Sequence, residues 1–267
     1  MRMTMAVASL APVFASMPIS AKAQEVAVSG GSHQYVLDIG AGIQYQPKYP
    51  GSNDYILVPF PLVAVQRFFL PGFGQVVDGE ENLRALSVFP SFDFNGKREA
   101  SDSPELTGTE TIDWALELGV GIGYRYDWLR GTVEVRQGIN GHDGQVIELG
   151  MDVIATPVER LQLNFGPRLT WASSDYMDTY FGVTEAEASA PGSQLTAYDP
   201  GSSFKTAGIA ARASYELSEN TRIHVRAGWD RFIADAADSP IVEAGSRDQF
   251  SIGTGLTYRF SFDLFKR

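Results

Sequence analysis

The sequence predicts an all-β protein: an antiparallel transmembrane β-barrel of about ten strands, with twelve as the alternative count. Three observations carry this. Between about Tyr35 and Phe260, apolar and polar residues alternate in runs of about a dozen. A strand points successive side chains to opposite faces, so each run meets an apolar medium on one side and a polar one on the other. The runs exceed the roughly 5–6 residues usual for a soluble sandwich strand and match the roughly 9–11 that a tilted strand needs to cross a bilayer. The links between runs alternate in length, as in bacterial barrels with short periplasmic turns and longer outer loops.

Taken in order, Gln34–Gln46 sends Tyr35, Leu37, Ile39, Ala41, Ile43 and Tyr45 outward, and Asp38, Gly40, Gly42 and Gln44 inward. The second run, Tyr55–Gln66, is apolar on both parities and holds Pro59 and Pro61, which donate nothing to a ladder, so it is expected to be bent or frayed. Arg84–Phe94 sets Leu86, Val88, Phe92 and Phe94 against Ser87, Ser91 and Asp93. Ala115–Tyr126 is the clearest: Leu116, Leu118, Val120, Ile122, Tyr124 and Tyr126 oppose Glu117, Gly119, Gly121, Gly123 and Arg125. Gly131–Ile139 turns Glu134 and Arg136 inward, Gln145–Ala155 turns Glu148 and Asp152 inward, and Arg160–Ala172 turns Arg168 inward. Phe204–Leu217 is weaker, with Arg212 and Glu216 inward. Thr221–Phe232 points Arg222, His224, Arg226 and Asp230 inward, and Gln249–Phe260 points Arg259 inward.

Short links fall at Asp127–Arg130, Thr156–Glu159 and Ser218–Asn220; long ones fall at Asn95–Ile112, Ser173–Ser203 and Ala234–Asp248. Arg67–Leu83 is oversized for an inner connection, and an extra hairpin around Phe73–Asp78 would make the count twelve. Tyr and Trp near strand ends, among them Trp114, Trp128, Trp171 and Trp229, fit interfacial girdles.

Residues 1–23 read as a secretory signal: Arg2, an apolar stretch over Met5–Met17, and the small-x-small site Ala21-Lys22-Ala23 before Gln24. Residues 24–33 then form a periplasmic segment, 34–260 the barrel and 261–267 a tail. Export followed by amphipathic strands points to the outer membrane of a Gram-negative cell. No later segment approaches 18 consecutive apolar residues, so membrane-spanning helices are excluded. There are no cysteines, hence no disulfide framework or thiolate metal site. The net charge of −11 becomes −13 once Arg2 and Lys22 leave with the signal; such a chain disfavours nucleic acid, whose phosphates need a basic surface.

The inward faces are nearly neutral, with eight carboxylates (Asp38, Asp93, Glu117, Glu134, Glu148, Asp152, Glu216, Asp230) against seven arginines (Arg125, Arg136, Arg168, Arg212, Arg222, Arg226, Arg259). A ten-stranded barrel is narrow, and an unpaired buried charge is costly. The interior is therefore expected to be a closed ion-pair network that includes His224, or at most a narrow channel. The inward glycines either make room for those arginines or ease strand curvature.

Catalytic signals are thin. A hydrolase would want a histidine beside a serine, but His224 sits among Arg222, Arg226 and Asp230, and His142 lies in Asn140-Gly141-His142-Asp143-Gly144, which reads as a tight turn. No G-x-S-x-G run or phosphate-binding glycine loop occurs. The loop acids Glu185, Glu187, Asp235 and Asp238 read as a solvated face more readily than as a cation site. No catalytic residue, cofactor or metal is expected.

Several short blocks in sequence resemble one family. Gln46-Pro47-Lys48-Tyr49-Pro50-Gly51-Ser52-Asn53-Asp54 opens the series, followed by Arg98-Glu99 ahead of Leu106-Thr107-Gly108, Gly141-His142-Asp143-Gly144, Tyr180-Phe181-Gly182-Val183-Thr184, Asp235-Ala236-Ala237-Asp238-Ser239-Pro240-Ile241-Val242, and Gly255-Leu256-Thr257-Tyr258-Arg259-Phe260. In that order and over nearly the whole mature chain they resemble the MltA-interacting protein (MipA/OmpV) family. The resemblance implies an outer-membrane barrel in contact with lipid. It also implies a non-enzymatic scaffolding part in cell-wall growth, bridging a lytic transglycosylase and a murein synthase; a narrow solute channel is the alternative, and an outer-membrane hydrolase a third. A scaffold would use the periplasmic surfaces Gln24–Ser32, Arg67–Leu83 and the tail. Members commonly stop at the terminal aromatic, whereas here Ser261–Arg267 follows Phe260; either Phe265 takes over as that signal or the tail hangs free.

Overall fold

The computed structural model describes residues 35–70, 74–77 and 84–264. The proposed signal (1–23), the segment 24–33 and Phe265 lie outside them. Among these residues eleven strands form one antiparallel sheet: β1 Tyr35–Pro47, β2 Tyr55–Leu70, β3 Gly74–Val77, β4 Arg84–Asn95, β5 Ala115–Tyr126, β6 Leu129–Asn140, β7 Gln145–Val158, β8 Leu161–Ala172, β9 Ser203–Ser218, β10 Thr221–Phe232 and β11 Asp248–Phe262. Ten are long. Among the described residues the four-residue β3 pairs with Arg67–Leu70 at the end of β2 and extends that strand as a hairpin, so ten long strands make the barrel and the expected extra hairpin adds one short strand to them. β11 carries the ladder to Phe262, two residues beyond the expected end, opposite Tyr35.

The order β3-β2-β1-β11-β10-β9-β8-β7-β6-β5-β4 brings the first and last strands together and curls the sheet into a nearly closed barrel. β2 is the long strand at one margin, which is where Pro59 and Pro61 do least harm, since an edge strand has one side with no ladder to serve. The short connections Asp127–Trp128 and Glu159–Arg160 turn through positive φ at Asp127 (57°) and Arg160 (70°), which the twist of a two-residue hairpin asks for.

Burial is inverted relative to a soluble protein. On β5, Val120 (54% exposed) and Ile122 (52%) face out, while Glu117 (2%) faces in. The apolar belt continues through Leu86, Val133, Leu149, Phe165, Ile252 and Leu256, so the solvent this surface is built for is hydrocarbon. Among the described residues no helix is long and apolar enough to cross a membrane, and the crossing is made by strands.

At the long-loop end, the connections fold together as a cap. It contains α1 Ser174–Phe181, α2 Glu185–Ala188, α3 Ala234–Ala237, α4 Pro240–Ala244 and 3-10 turns at Ala100–Asp102 and Pro104–Leu106.

Candidate functional site

Two clusters of paired charge line the barrel. In the first, Arg136 reaches Glu117 at 3.0 Å, Glu134 at 3.4 Å and Glu148 at 3.5 Å. Ser91 donates to Glu134 at 2.5 Å, Asn95 to Glu117 at 2.8 Å, and Arg168 continues the chain to Asp152 at 2.8 Å. The second is built around Asp38, which accepts from Arg259 at 2.8 and 3.0 Å and from Gln66 at 3.2 Å, with Arg222 at 3.6 Å and Glu216 beyond it. The expected residues Asp38, Glu117, Glu134, Arg136, Glu148, Asp152, Arg168, Arg222 and Arg259 are thus brought together, though as two groups. Arg125 instead donates to the Asp127 carbonyl at the short-turn end. His224 bridges two hydroxyls, Ser214 and Thr257, each at 2.9 Å. Arg226 lies on the Phe60 ring, and Asp230 sits over Gly208, where a Cβ would stand 2.4 Å from Oδ1. Of the inward glycines, Gly123 and Gly253 each leave the space an arginine occupies (Arg130 and Arg226), while a Cβ on Gly119 would strike the Val135 carbonyl, a close approach of backbones. Asp93 and Arg212 point inward yet remain exposed, so the interior is not filled at their level.

The cap gathers the family-like blocks that the sequence scatters. Tyr176, Met177, Tyr180 and Phe181 of α1 pack with Ala236, Ala237 and Val242, and the same cluster takes in Val146, Ala172 and Phe232 from the inward faces of strand ends. The cap therefore sits in the mouth of the barrel. Tyr49, Leu106, Val183, Leu195 and Ile241 form a second core beside it. Gly51, at φ 93°, bonds Gln249 through its N–H and accepts from Ser246. Gly182 caps α1, its N–H reaching the Met177 and Asp178 carbonyls. The Ser239 hydroxyl ties α4 to the Phe181 carbonyl at 2.7 Å, Pro240 opens α4, and Asp238 meets Arg247 at 3.7 Å. Arg98, only 3% exposed, donates to the Tyr180 carbonyl at 2.9 Å; burial holds its guanidinium below its ordinary pKa.

His142 is more than a turn residue. It is buried edge-on to Tyr176 and Tyr180, its Nδ1 accepts from the Gly144 N–H at 3.1 Å, and its Nε2 points to Glu117 at 3.6 Å. A Cβ on Gly138 would stand 2.2 Å from its ring, so that glycine makes its seat. His142 joins the cap to the first charge cluster. Burial, then the charge of Glu117, pushes the Tyr176 phenol well above its ordinary pKa. The loop acids have structural duties: Asp235 accepts from the Gly201 N–H, and Glu187 from the N–H groups of Glu110 and Thr184. Burial alone would raise Glu187, but those bonds outweigh it and the carboxyl sits low. A cavity of about 750 Å³ opens beside them between Arg98, Asp113, Asp178 and Tyr198.

Sequence reasoning missed Lys205, whose parity assigns it to lipid. Thr170 pairs with Thr206 and Trp171 with Phe204, leaving Lys205 as the extra residue of a β-bulge, which re-aims its side chain. Its Nζ bonds the Tyr176 hydroxyl at 3.1 Å and lies 4.5 Å from the ring centre. Arg67 follows the same rule: β2 skips Gln66 between Val65 and Arg67, so Arg67 pairs with inward Val36. The signal was a cation on an apolar parity. Lys205→Gln is expected to loosen the docking of α1 by about 1.5–3 kcal/mol, the worth of a hydrogen bond to a charged group. Amide exchange across Ser174–Phe181 should speed up accordingly, and unchanged protection there would contradict the tie.

The sequence model of the family described as MltA-interacting protein MipA matches residues 39–260. Outer membrane protein Omp26La of Vibrio anguillarum is 28% identical over 158 residues, 56% of this chain and 54% of its own length. Outer membrane protein OmpV of Vibrio cholerae serotype O1 is 27% identical over the same shares. The chain thus spans about half the length of the curated relatives it matches. Among solved structures, Neisserial surface protein A aligns at 11% identity with a TM-score of 0.29, over 86% of this chain and 97% of that one.

Proposed function

The chain belongs to the family of the MltA-interacting protein MipA, and on that premise we propose that this outer-membrane barrel acts by binding. It is a non-enzymatic adaptor that holds peptidoglycan-remodelling enzymes, a lytic transglycosylase and a murein synthase, beneath the membrane. What most supports this reading, beside the family's name, is the packed cap in the outer mouth, which obstructs the path that a porin keeps open. The β2–β3 hairpin lies at the end away from the cap, and on this reading that short-turn end faces the periplasm and offers the docking surface.

Crosslinking in intact envelopes followed by pull-down of the mature chain is expected to enrich a lytic transglycosylase over an unrelated barrel used as bait. Replacing Gly74–Val77 with a Gly-Ser run should abolish that enrichment. Equal recovery with both baits would end the adaptor reading. The channel reading draws on the open space at Asp93 and Arg212. In planar bilayers the adaptor gives no steady current, whereas a steady nanosiemens conductance would favour the channel.

A further inference from the structure

Arg212 and Arg226 stand directly opposite each other on β9 and β10, both facing inward at about half the height of the strands. Like charges in that position repel. Arg136, Arg168, Arg222 and Arg259 each hold a carboxylate. Among the described residues, by contrast, no hydrogen bond or ion pair holds Arg212 or Arg226, in a chain whose net charge is −11. Neutralising them within the protein would have been simple, since nearby interior positions carry Asp93 and Asp230; neither reaches ion-pair distance.

Among the described residues, Arg226 is held instead by an aromatic face. Its guanidinium lies 3.6 Å from the centre of the Phe60 ring on β2, across two intervening strands. Glycines keep that route open: a Cβ on Gly253 would stand 3.3 Å from Arg226 Nε, and one on Gly42 would stand 2.6 Å from Phe60 Cζ. Leu62 covers Gly255 in the same way and widens the apolar floor. Stacking occupies the face of a guanidinium and leaves its in-plane N–H donors free, in the fork geometry that suits a carboxylate or phosphate. Arg212, exposed into the interior, supplies a second fork beside the first.

We propose that Arg212, Arg226 and Phe60 form an interior binding site for an amphipathic anion, a carboxylate or phosphate carried on an apolar chain or ring. The anion neutralises both arginines, and its apolar part lies on Phe60 and Leu62. The same chemistry is offered by a free amphiphile and by an anionic lipid headgroup.

The test titrates sodium octanoate calorimetrically into the mature chain in phosphatidylcholine nanodiscs, with empty discs subtracted. The wild type is expected to bind saturably, one to one. Arg226→Gln and, separately, Arg212→Gln should each weaken binding about tenfold, the loss of one charge-assisted pair. Arg212 is exposed and, among the described residues, holds no hydrogen bond or ion pair, so its replacement is expected to leave the barrel intact, and heat-modifiable migration on gels checks that each variant is folded. Phe60→Ala should weaken octanoate while leaving inorganic phosphate, the weaker probe, unchanged. Phosphatidylglycerol discs distinguish the sources: octanoate displaced by that lipid identifies the headgroup as occupant, and undiminished binding identifies the free anion. No saturable heat beyond empty discs, or equal binding by wild type and the double Gln variant, would overturn the site.

Discussion

Arg136→Ala should lower the unfolding free energy of the barrel by about 3–5 kcal/mol, the usual cost of removing one partner from a buried charged group. Arg136 is 7% exposed and is the cation shared by Glu117, Glu134 and Glu148. Without it, among the described residues Glu117 keeps a hydrogen bond from Asn95 and a histidine nitrogen 3.6 Å away. Glu117 is the carboxylate most affected, since at 2% exposed it has no water to turn to, whereas Glu134 and Glu148 are half-buried. Urea unfolding in lipid vesicles, followed by tryptophan emission, measures the loss. The pair Glu117→Leu with Arg136→Met should recover part of it, since an apolar pair of similar volume carries no desolvation cost. A loss below about 1 kcal/mol, the range of an exposed ion pair, would mean that water reaches the cluster freely.

Phe181→Ala should act on the cap and spare the barrel. The ring is fully buried, meets Phe232 edge-on at a centroid distance of 5.2 Å, and lies in one cluster with Tyr176 and Met177. Truncating a buried phenylalanine costs about 3–5 kcal/mol, and the loss falls on the packing between α1 and the strand end at Phe232. The expected result is a chain that still migrates as a folded barrel on gels, is cleaved within residues 173–202 by protease added outside, and gives flickering current in planar bilayers where the wild type is silent. Cleavage and current unchanged from the wild type would show that the mouth is closed by something other than this core.

How far the sequence discloses these parts differs from one to the next. Alternation on β5 and β11 is legible because lipid on one side and charge on the other force a strict period of two. The pairing of Arg136 with three carboxylates from β5, β6 and β7 follows from register, which a single strand does not reveal. Lys205 and Arg67 break the parity rule openly, and the break itself marks a bulge. The cap is the part that alternation cannot reach. Tyr49, Leu106, Phe181 and Ile241 lie in four separate loops, and only the closure of the barrel brings those loops within packing distance. His142 is ambiguous for the same reason, since the tyrosines that bury it come from a different connection.

One consequence concerns change at the cell's exterior. Outer loops of barrels ordinarily diverge in length one at a time, because each ends in water and answers to nothing else. Here Gly51 is clasped by Ser246 and Gln249, Lys48 by Asp102, Arg98 by Tyr180, and Tyr198 by Asp235. An insertion in any one would propagate through its neighbours, so tags or epitopes grafted there should be tolerated poorly, and the face presented to phage and antibodies should evolve as a single piece.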